Sequence, residues 1–362
     1  MSLITTQKIH NFSAGPGILP PEVLKQSAEA CINFANMNLS LLEISHRSKE
    51  YVAVMDEARA LIKEHFGVGD EYEVMYLGGG ASTQFAMIPH NCLSDKGYAT
   101  YVNTGTWATN AIKQAKIVGE TKVIASSEDK NFTYIPKGFV VPTDADYLHI
   151  TSNNTIYGSQ YASFPESKIP LICDMSSDIF SRKVDASKFA LIYAGAQKNM
   201  GPAGATMVMI RKDMVDKVDR KKFAMMDYSV HIKGESMYNT PPVFPVYVTM
   251  LTLRWLKQNG GVEWIEKINN QKAATLYNEI DRNSMFYGTV AKEDRSKMNV
   301  TFLMNKPELE NEFDKMAKEK SLSGLKGHRS VGGYRASIYN ALPLESVEAL
   351  VDMMQEFEKK FA

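Results

Sequence analysis

Apolar residues along the chain follow two spacings, one typical of helices and one typical of strands. A helical spacing predicts an amphipathic helix whose apolar positions are Val52, Met55, Ala58, Ile62 and Phe66. Strand-length apolar runs recur with helical or loop segments between most of them, over 74–77, 98–102, 147–150, 169–173, 191–193 and 206–210. Because strands that alternate with helices form a largely parallel, covered sheet, we predict an α/β domain here.

The C-terminal part of the chain shows a different order of elements. Gly260 and Gly261 interrupt two helical patterns and mark a boundary. Beyond them the pattern predicts helices over 262–280 and 307–320, strands over 299–303 and 335–338, and a closing helix with the apolar stripe Val347, Leu350, Met354, Phe357 and Phe361. We therefore expect a large α/β domain over 16–260 and a small α+β domain over 261–362, to which the N-terminal segment 1–15 is added.

The composition is that of an ordinary soluble globular protein. Of 362 residues, 44% are hydrophobic and 23% are charged. The 41 basic and 41 acidic residues cancel, so the basic excess of a nucleic-acid-binding protein is missing. No run approaches the roughly 20 apolar residues of a membrane helix, and the start of the chain lacks a signal-peptide core. We expect a cytoplasmic protein that binds neither nucleic acid nor membrane.

Metal and disulfide chemistry find little support in the sequence. Cys31, Cys92 and Cys173 are widely spaced and odd in number, which argues against a disulfide framework or a zinc knuckle and favours a reducing compartment. Two of the histidines belong to His-Arg pairs, and the others lack metal-like spacing: His10, His65, His90, His149 and His231. No metal site is predicted.

One lysine stands where an apolar strand leads into small residues and a glycine turn. Residues 193–204 read YAGAQKNMGPAG, with Lys198 as the single lysine. Small residues let the backbone come close to a flat ligand. A lysine that is withdrawn from water at such a strand end loses part of its charge and becomes nucleophilic. A surface lysine in a loop explains the same composition equally well.

Asp174 ends a second strand of buried type. Because open α/β sheets bind ligands at the carboxyl ends of their strands, we expect Asp174 and Lys198 to face one crevice. Pyridoxal phosphate requires such a pair, with a lysine for the imine and an acid for the pyridinium nitrogen. An aspartate that caps a helix after the strand is the plainer alternative.

A glycine turn, residues 78–80, lies between the strand over 74–77 and a helical run. Such a turn offers unpaired N–H groups and the positive end of a helix dipole to a phosphate. It matches neither a Walker loop nor the G-x-G-x-x-G pattern, so it is weak evidence alone. Beside Lys198 and Asp174 it fits the phosphate of the same cofactor.

The lysine segment resembles class V aminotransferases, in which a glutamine precedes the Schiff-base lysine as Gln197 does here. Within that class the chain is still more similar to the phosphoserine aminotransferase family. The shared motifs are NFSAGP at 11–16, SHRS at 45–48, Thr155, Asp174, YNTPP at 238–242 and GHRSVGGYRAS at 327–337. The resemblance implies fold type I, a homodimer with shared active sites, and a role in serine biosynthesis. The reaction that it implies is the reversible transamination of L-glutamate and 3-phosphohydroxypyruvate to 2-oxoglutarate and O-phospho-L-serine.

The resemblance also implies how pyridoxal 5'-phosphate is held. Lys198 would form the Schiff base and act as general acid and base, and Asp174 would meet the pyridine nitrogen. Trp107 would stack on the ring and Thr155 would bond at its O3′ side. The phosphate would be bound by Ala81, Ser82 and Gln197, and from the other subunit by Asn239 and Thr240. Some members carry Gly-Arg in place of Ala81-Ser82, so here the phosphate depends more on N–H and hydroxyl donors.

Substrate recognition is expected to involve five cationic or imidazole side chains. By the resemblance, Arg335 binds the α-carboxylate, for which a guanidinium suits because it makes two parallel hydrogen bonds. The two His-Arg pairs, His46-Arg47 and His328-Arg329, would gather around the substrate phosphate or the γ-carboxylate of glutamate. Without the resemblance, ordinary surface charge is the better interpretation of both pairs.

Other functions remain open at this point. A class V aminotransferase of the serine–pyruvate or alanine–glyoxylate type would share Lys198 and Asp174 without needing two His-Arg pairs. A cysteine desulfurase would need a mobile nucleophilic cysteine, and none of the three lies in a suitable loop. A non-catalytic binding protein for phosphate ligands would not need Lys198. Some members of the family also serve vitamin B6 synthesis through 4-phosphohydroxy-L-threonine, which the sequence does not decide.

Overall fold

A computed structural model describes residues 8–362 of the chain, so residues 1–7 of the segment assigned to the small domain lie outside the described part. The strands are β1 (His10–Asn11), β2 (Tyr72–Leu77), β3 (Tyr98–Asn103), β4 (Glu120–Ser126), β5 (Tyr147–Thr151), β6 (Leu171–Asp174), β7 (Leu191–Gly195), β8 (Thr206–Arg211), β9 (Phe286–Tyr287), β10 (Asn299–Met304), β11 (Leu322–Ser323) and β12 (Tyr334–Ser337). The helices are α1 (Pro21–Ile32), α2 (Lys49–Phe66), α3 (Gly80–Cys92), α4 (Thr106–Val118), α5 (Tyr228–Lys233), α6 (Val243–Gln258), α7 (Gly261–Arg282), α8 (Glu310–Glu319) and α9 (Leu344–Phe361).

A seven-stranded sheet forms the centre of the larger part, in the order β2-β8-β7-β6-β5-β3-β4. Strand β8 runs antiparallel to both of its neighbours, and the other pairs are parallel. The predicted α/β class and its largely parallel sheet are therefore confirmed. Six of these strands were predicted. Strand β4 was missed: it lies at the sheet edge with no fully buried side chain, and its apolar residues are confined to 123–125.

Helix α2 shows how local sequence sets an element. Its N-cap is Ser48, whose hydroxyl accepts a 3.3 Å hydrogen bond from the N–H of Tyr51. Gly67 ends the helix with a φ of 65°, the left-handed conformation that glycine adopts without cost. The predicted positions Met55, Ala58, Ile62 and Phe66 are buried, and Val52 is half-buried.

Two separate regions of the chain carry cores of their own. Two apolar clusters pack against the large sheet, one from Val23 to Ile265 and one from Met75 to Tyr228, and we call them together the larger core. The smaller core lies around the three-stranded sheet β12-β10-β9 and runs from Ala273 to Phe357, and Phe12 also belongs to it. Helices α7 and α9 pack together there, as the apolar stripe of α9 predicts. The predicted helix over 307–320 is a 3₁₀ turn followed by α8.

The carboxyl ends of the central strands meet at one edge of the sheet. Thr151 at the end of β5 pairs with Asp174 at the end of β6, and Asp174 pairs with Tyr193 of β7. Lys198 follows the end of β7 by three residues. Over residues 8–362, no helix has both the length and the hydropathy that a membrane span requires.

Candidate active site

A cavity of about 310 Å³ opens at the carboxyl ends of β5, β6 and β7. Open α/β sheets place ligands at this position. The cavity is lined by nine of the residues predicted from the sequence: Ala81, Ser82, Trp107, Thr155, Asp174, Gln197, Lys198, His328 and Arg335. The predicted crevice shared by Lys198 and Asp174 is thus present in the fold.

A turn of small residues after β7 positions Lys198 at the cavity. Its N–H and that of Met200 donate to the carbonyl of Ala196 at 2.7 and 3.2 Å, which folds the chain back directly after β7. The Lys198 amine donates a 2.7 Å hydrogen bond to Oγ1 of Thr155. Burial lowers the pKa of Lys198 to about 8, although the carboxylate of Asp174 opposes the shift. Lys198 lines the cavity and is half-buried, which is not the environment of a surface lysine in a loop.

Asp174 is 5% exposed at the end of β6. Its Oδ1 accepts a 2.9 Å hydrogen bond from the N–H of Ser176. Burial raises the pKa of the carboxyl group, and the bond from Ser176 and the charge of Lys198 oppose that rise. Asp174 is not a helix cap, because no regular helix directly follows β6. Its hydrogen bond with Ser176 closes a turn instead.

The glycine turn leads into α3 as the sequence predicts. Gly79 and Gly80 have φ values of 88° and 69°, and a Cβ on Gly79 would lie 2.0 Å from Oγ1 of Thr83. Ala81 and Ser82 lie in the first turn of α3, where backbone N–H groups have no partner within the helix. The positive end of the helix dipole therefore faces the cavity and suits an anion.

Trp107 lies in the first turn of α4 and faces Lys198. The Lys198 amine is 5.9 Å from the centroid of its ring. The Nε1 atom of Trp107 is buried and, within the described residues, makes no hydrogen bond. Because Trp107 lines the cavity, its indole can contact a planar ligand bound there.

Arg335 lies on β12, a strand of the three-stranded sheet, and its side chain lines the cavity. Its Nη1 donates a 3.2 Å hydrogen bond to the carbonyl of Thr155. The Nε atom of Arg335 is buried and has no hydrogen-bond partner among residues 8–362. Burial lowers the pKa of the Arg335 guanidinium. His328 lies beside it; burial and the charges of Arg335 and Arg329 lower the pKa of that imidazole. The cavity thus has a cationic side and a donor to be satisfied, which fits a carboxylate.

Five predicted residues do not line the cavity of this chain. Arg47, Arg329, Asn239 and Thr240 are exposed. His46 is half-buried, and its Nε2 is buried without a hydrogen bond in the described part of the chain. The single chain therefore brings together the lysine, the aspartate and one side of a cationic site, and it leaves the remaining predicted ligands outside.

Sequence reasoning missed polar residues in the loops after β5 and β6. Asn153 and Ser177 line the cavity, and Nδ2 of Asn153 donates to Oγ of Ser177 at 2.8 Å. Their position directly after two predicted strands was an available signal. Among residues 8–362, no group of three or more His, Cys, Asp or Glu side chains is arranged to hold a metal ion.

Comparisons with known proteins agree with this geometry. Residues 9–350 match the sequence model of the family described as aminotransferase class-V. A curated phosphoserine aminotransferase of Flavobacterium johnsoniae is 59% identical over 354 residues, which cover 98% of this chain and 99% of the relative. A relative from Porphyromonas gingivalis with the same name is 58% identical over 360 residues, covering 98% of this chain and 99% of the relative.

Solved structures give the same result for the fold. Phosphoserine aminotransferase from Bacillus circulans subsp. alkalophilus superposes with a TM-score of 0.96 at 45% identity, covering 99% of this chain and 100% of that one. The predicted fold type I architecture is therefore confirmed. With more than half of its residues shared with curated relatives over nearly its full length, the chain belongs to the class V aminotransferases and, within them, to the phosphoserine aminotransferase family.

Proposed function

We propose that this chain transfers the amino group of L-glutamate to 3-phosphohydroxypyruvate, reversibly, and so gives O-phospho-L-serine and 2-oxoglutarate. The observation that carries the proposal is that Lys198, Asp174 and Arg335 line one cavity. An amine, an acid and a carboxylate-binding group are the elements that an amino-group transfer needs. The high identity to curated relatives of this name supports the same reaction over the serine–pyruvate or alanine–glyoxylate alternative.

Pyridoxal 5'-phosphate is the cofactor that the cavity fits. The donors of the α3 N-terminus match its phosphate, the buried Asp174 matches a protonated ring nitrogen, and Trp107 offers an indole face. When bound, the cofactor supplies an aldehyde that condenses with amines and a ring that withdraws electrons from the substrate Cα. We assign Ala81, Ser82 and Gln197 to its phosphate and Thr155 to its O3′ side.

Lys198 is the proposed acid and base of the transfer. An amine with a pKa of about 8 is partly unprotonated near neutral pH and can accept a proton from the substrate Cα. The hydrogen bond from its Nζ to Thr155 keeps the amine at the cavity wall where the substrate must lie. Asp174 contributes by its negative charge, which favours protonation of a ring nitrogen beside it.

Substrate anions are assigned to the cationic residues. Arg335 is proposed to bind the α-carboxylate, because its Nε is an unsatisfied buried donor and Nη1 is already held by the Thr155 carbonyl. We assign the phosphate to the two His-Arg pairs, His46-Arg47 and His328-Arg329, of which His328 lines the cavity.

The remaining predicted ligands fit a homodimer with shared active sites. Asn239 and Thr240 are exposed in the single chain. Residues that reach the phosphate site of a partner subunit must be exposed in this way. Arg47 is exposed in the same way. The two cores fit the proposed division into a domain over 16–260 and a second over 261–362 with residues 1–15, except that Ile265 packs in the larger core. We place the enzyme in the cytoplasm.

A coupled assay on the purified protein tests the proposed function. The protein is loaded with pyridoxal phosphate and supplied with 2-oxoglutarate and one of three donors, phosphoserine, serine or alanine. We expect phosphoserine to be used with much the highest kcat/KM. Equal use of serine or alanine would favour the rival class V activities, and no transfer together with tight phosphoserine binding would indicate a binding protein. A parallel arm with 4-phosphohydroxy-L-threonine tests the vitamin B6 reaction.

A further inference from the structure

A short N-terminal segment passes beside Lys198 on its way from the smaller core to the larger one. We call residues 13–17 the N-terminal strap. Phe12 before it belongs to the smaller core, and Val23 after it belongs to the larger. Ala14 and Gly15 line the cavity, and a Cβ built on Gly15 would lie 3.6 Å from Cγ of Lys198. The strap is therefore part of the wall against the lysine stem.

Backbone hydrogen bonds hold both ends of the strap. Before it, the N–H of Phe12 donates to the carbonyl of Ser323 at 2.8 Å. At its far end, the N–H of Gly17 donates to the carbonyl of Gln197, the residue before the lysine, at 2.7 Å. Its middle is held by a side chain, because the carbonyl of Ala14 accepts a 2.7 Å hydrogen bond from the hydroxyl of Tyr339.

Tyr339 is the end of a hydrogen-bonded chain that begins on the opposite wall of the cavity. Nδ2 of the cavity-lining Asn153 donates to Oδ1 of Asn299 at 2.7 Å. Nδ2 of Asn299 in turn donates to the hydroxyl of Tyr339 at 3.1 Å. Because that hydroxyl then donates to Ala14, the chain joins two walls of the cavity through the smaller core.

The backbone of Tyr339 is itself fixed by a buried lysine. Lys272 of α7 is fully buried and donates to the carbonyls of Ile338, Tyr339 and Leu342 at 3.0, 2.7 and 3.0 Å. The Tyr339 ring also lies against the strap, since a Cβ on Gly17 would come within 2.9 Å of its Cδ2. The hydroxyl is thus presented to Ala14 from a rigid site.

We propose that Tyr339 is a positioning residue for the transamination. It holds the N-terminal strap as the wall beside Lys198 and so keeps the lysine amine within reach of the substrate Cα. The role rests on the proposed function of Lys198 as the reacting amine. Because small displacements of reacting groups cost rate more than binding, loss of this hydroxyl lowers kcat more than it raises KM.

The variant Tyr339→Phe removes the hydroxyl alone, and Tyr72→Phe is its matched control. Tyr72 is equally buried, and its hydroxyl donates to the carbonyl of Phe189 at 2.7 Å. It lies at the amino end of β2, away from the edge of the sheet that carries the cavity. In the cofactor-loaded enzymes we expect kcat for phosphoserine to fall roughly tenfold in Tyr339→Phe, with KM changed less than about twofold, and neither to change in Tyr72→Phe.

Hydrogen–deuterium exchange measures how well the backbone amides of the strap are protected, and it needs no substrate. The backbone amides of residues 12–15, 17 and 18 should exchange faster in Tyr339→Phe and as in the parent protein in Tyr72→Phe; residue 16 is a proline and has no amide hydrogen. Unchanged exchange of these amides, or an equal loss of kcat in both variants, would overturn the proposal. If the parent protein itself fails to transaminate, the proposed function is at fault, and the exchange comparison still decides whether Tyr339 holds the strap.

A second variant decides the question if Tyr339→Phe does not fold. Gly17→Ala places a methyl group 2.9 Å from Cδ2 of Tyr339 and 3.1 Å from the carbonyl oxygen of Lys198, in a half-buried surface segment. The methyl group pushes the strap away from the Tyr339 ring. We expect the same fall in kcat with little change in KM; a parent-like kcat in a variant whose strap amides exchange faster would contradict the proposal.

Discussion

The Lys198 amine and Oγ1 of Thr155 are joined by a hydrogen bond of 2.7 Å, although they lie in loops after different strands. The carbonyl of the same threonine accepts a hydrogen bond from Arg335. Thr155 therefore holds both the group proposed to move the proton and the group proposed to bind the α-carboxylate. Their separation is set by one residue, which orients an amino acid between them.

Replacement of Lys198 by alanine should abolish turnover and leave the fold intact. Lys198 is the one lysine that lines the cavity in the described part of the chain, and the strands around the cavity are held by their own cores. Steady-state assays and circular dichroism measure the two effects. The control Lys168→Ala removes an exposed lysine and should retain full activity. More than a trace of transamination by Lys198→Ala would show that another group carries the chemistry.

Replacement of Asp174 by asparagine should keep the shape of the cavity and remove its negative charge. Cα deprotonation should slow by orders of magnitude, since each ~1.4 kcal/mol lost in the transition state is a tenfold loss in rate. A single-turnover experiment with glutamate isolates this half of the reaction. A rate near that of the parent enzyme would reduce Asp174 to a residue that closes a turn onto Ser176.

Stability of the cofactor-free protein should depend on pH through Lys198. Its pKa is about 8 in the folded protein against 10.5 normally. Between these values the unfolded chain binds a proton at Lys198 that the folded protein does not, so stability rises with pH there. Below that window the charged Lys198 destabilises the folded protein by its full amount. Above the window the amine is neutral in both states and no longer affects stability.

The variant Lys198→Met isolates this contribution. We expect it to unfold at higher urea concentration than the parent at neutral pH, and the difference to shrink as the pH rises through the window. Lys272, whose pKa burial lowers to about 7, contributes equally to both proteins and cancels in the difference. A difference that is independent of pH would mean that the Lys198 amine titrates alike in the folded and the unfolded protein, so that burial does not shift its pKa.

Substrate specificity should separate Arg329 from Arg335. Arg329→Leu and Arg47→Leu should weaken phosphoserine far more than serine, because a phosphate dianion depends on charge-assisted donors. Arg335→Leu should weaken all donors together, because each carries an α-carboxylate. The ratio of kcat/KM for phosphoserine over serine measures this. An unchanged ratio in both Arg329→Leu and Arg47→Leu would place the phosphate pocket elsewhere.

Subunit mixing should test the shared active site. Lys198→Ala dimers lack the amine, and dimers that carry Asn239→Ala with Thr240→Ala lack the donors proposed to cross the interface. If the sites are shared, a hybrid dimer has one site with all of these groups intact. Mixing the two after mild dissociation should therefore restore activity above that of either parent. No recovery in verified hybrids would show that each chain completes its own site.

The sequence by itself determined the elements and the reacting groups. Apolar spacing predicted six of the seven strands in the large sheet, because a buried central strand must be apolar at successive positions. Residue chemistry singled out Lys198, Asp174 and the glycine turn, and the ends of their strands placed them in one crevice. These signals are local, since each is contained in a few consecutive residues.

Tertiary structure alone decided which distant residues share the site. Strand β4 has no fully buried side chain, and it is a strand because it pairs with β3 at the sheet edge. Arg335 meets Thr155 across 180 positions, and Tyr339 meets Ala14 across 325. No periodicity reports such contacts, because they depend on how two cores pack and not on the order of neighbouring residues. The same packing withdraws Lys198 from water, and that burial lowers the pKa of its amine to about 8.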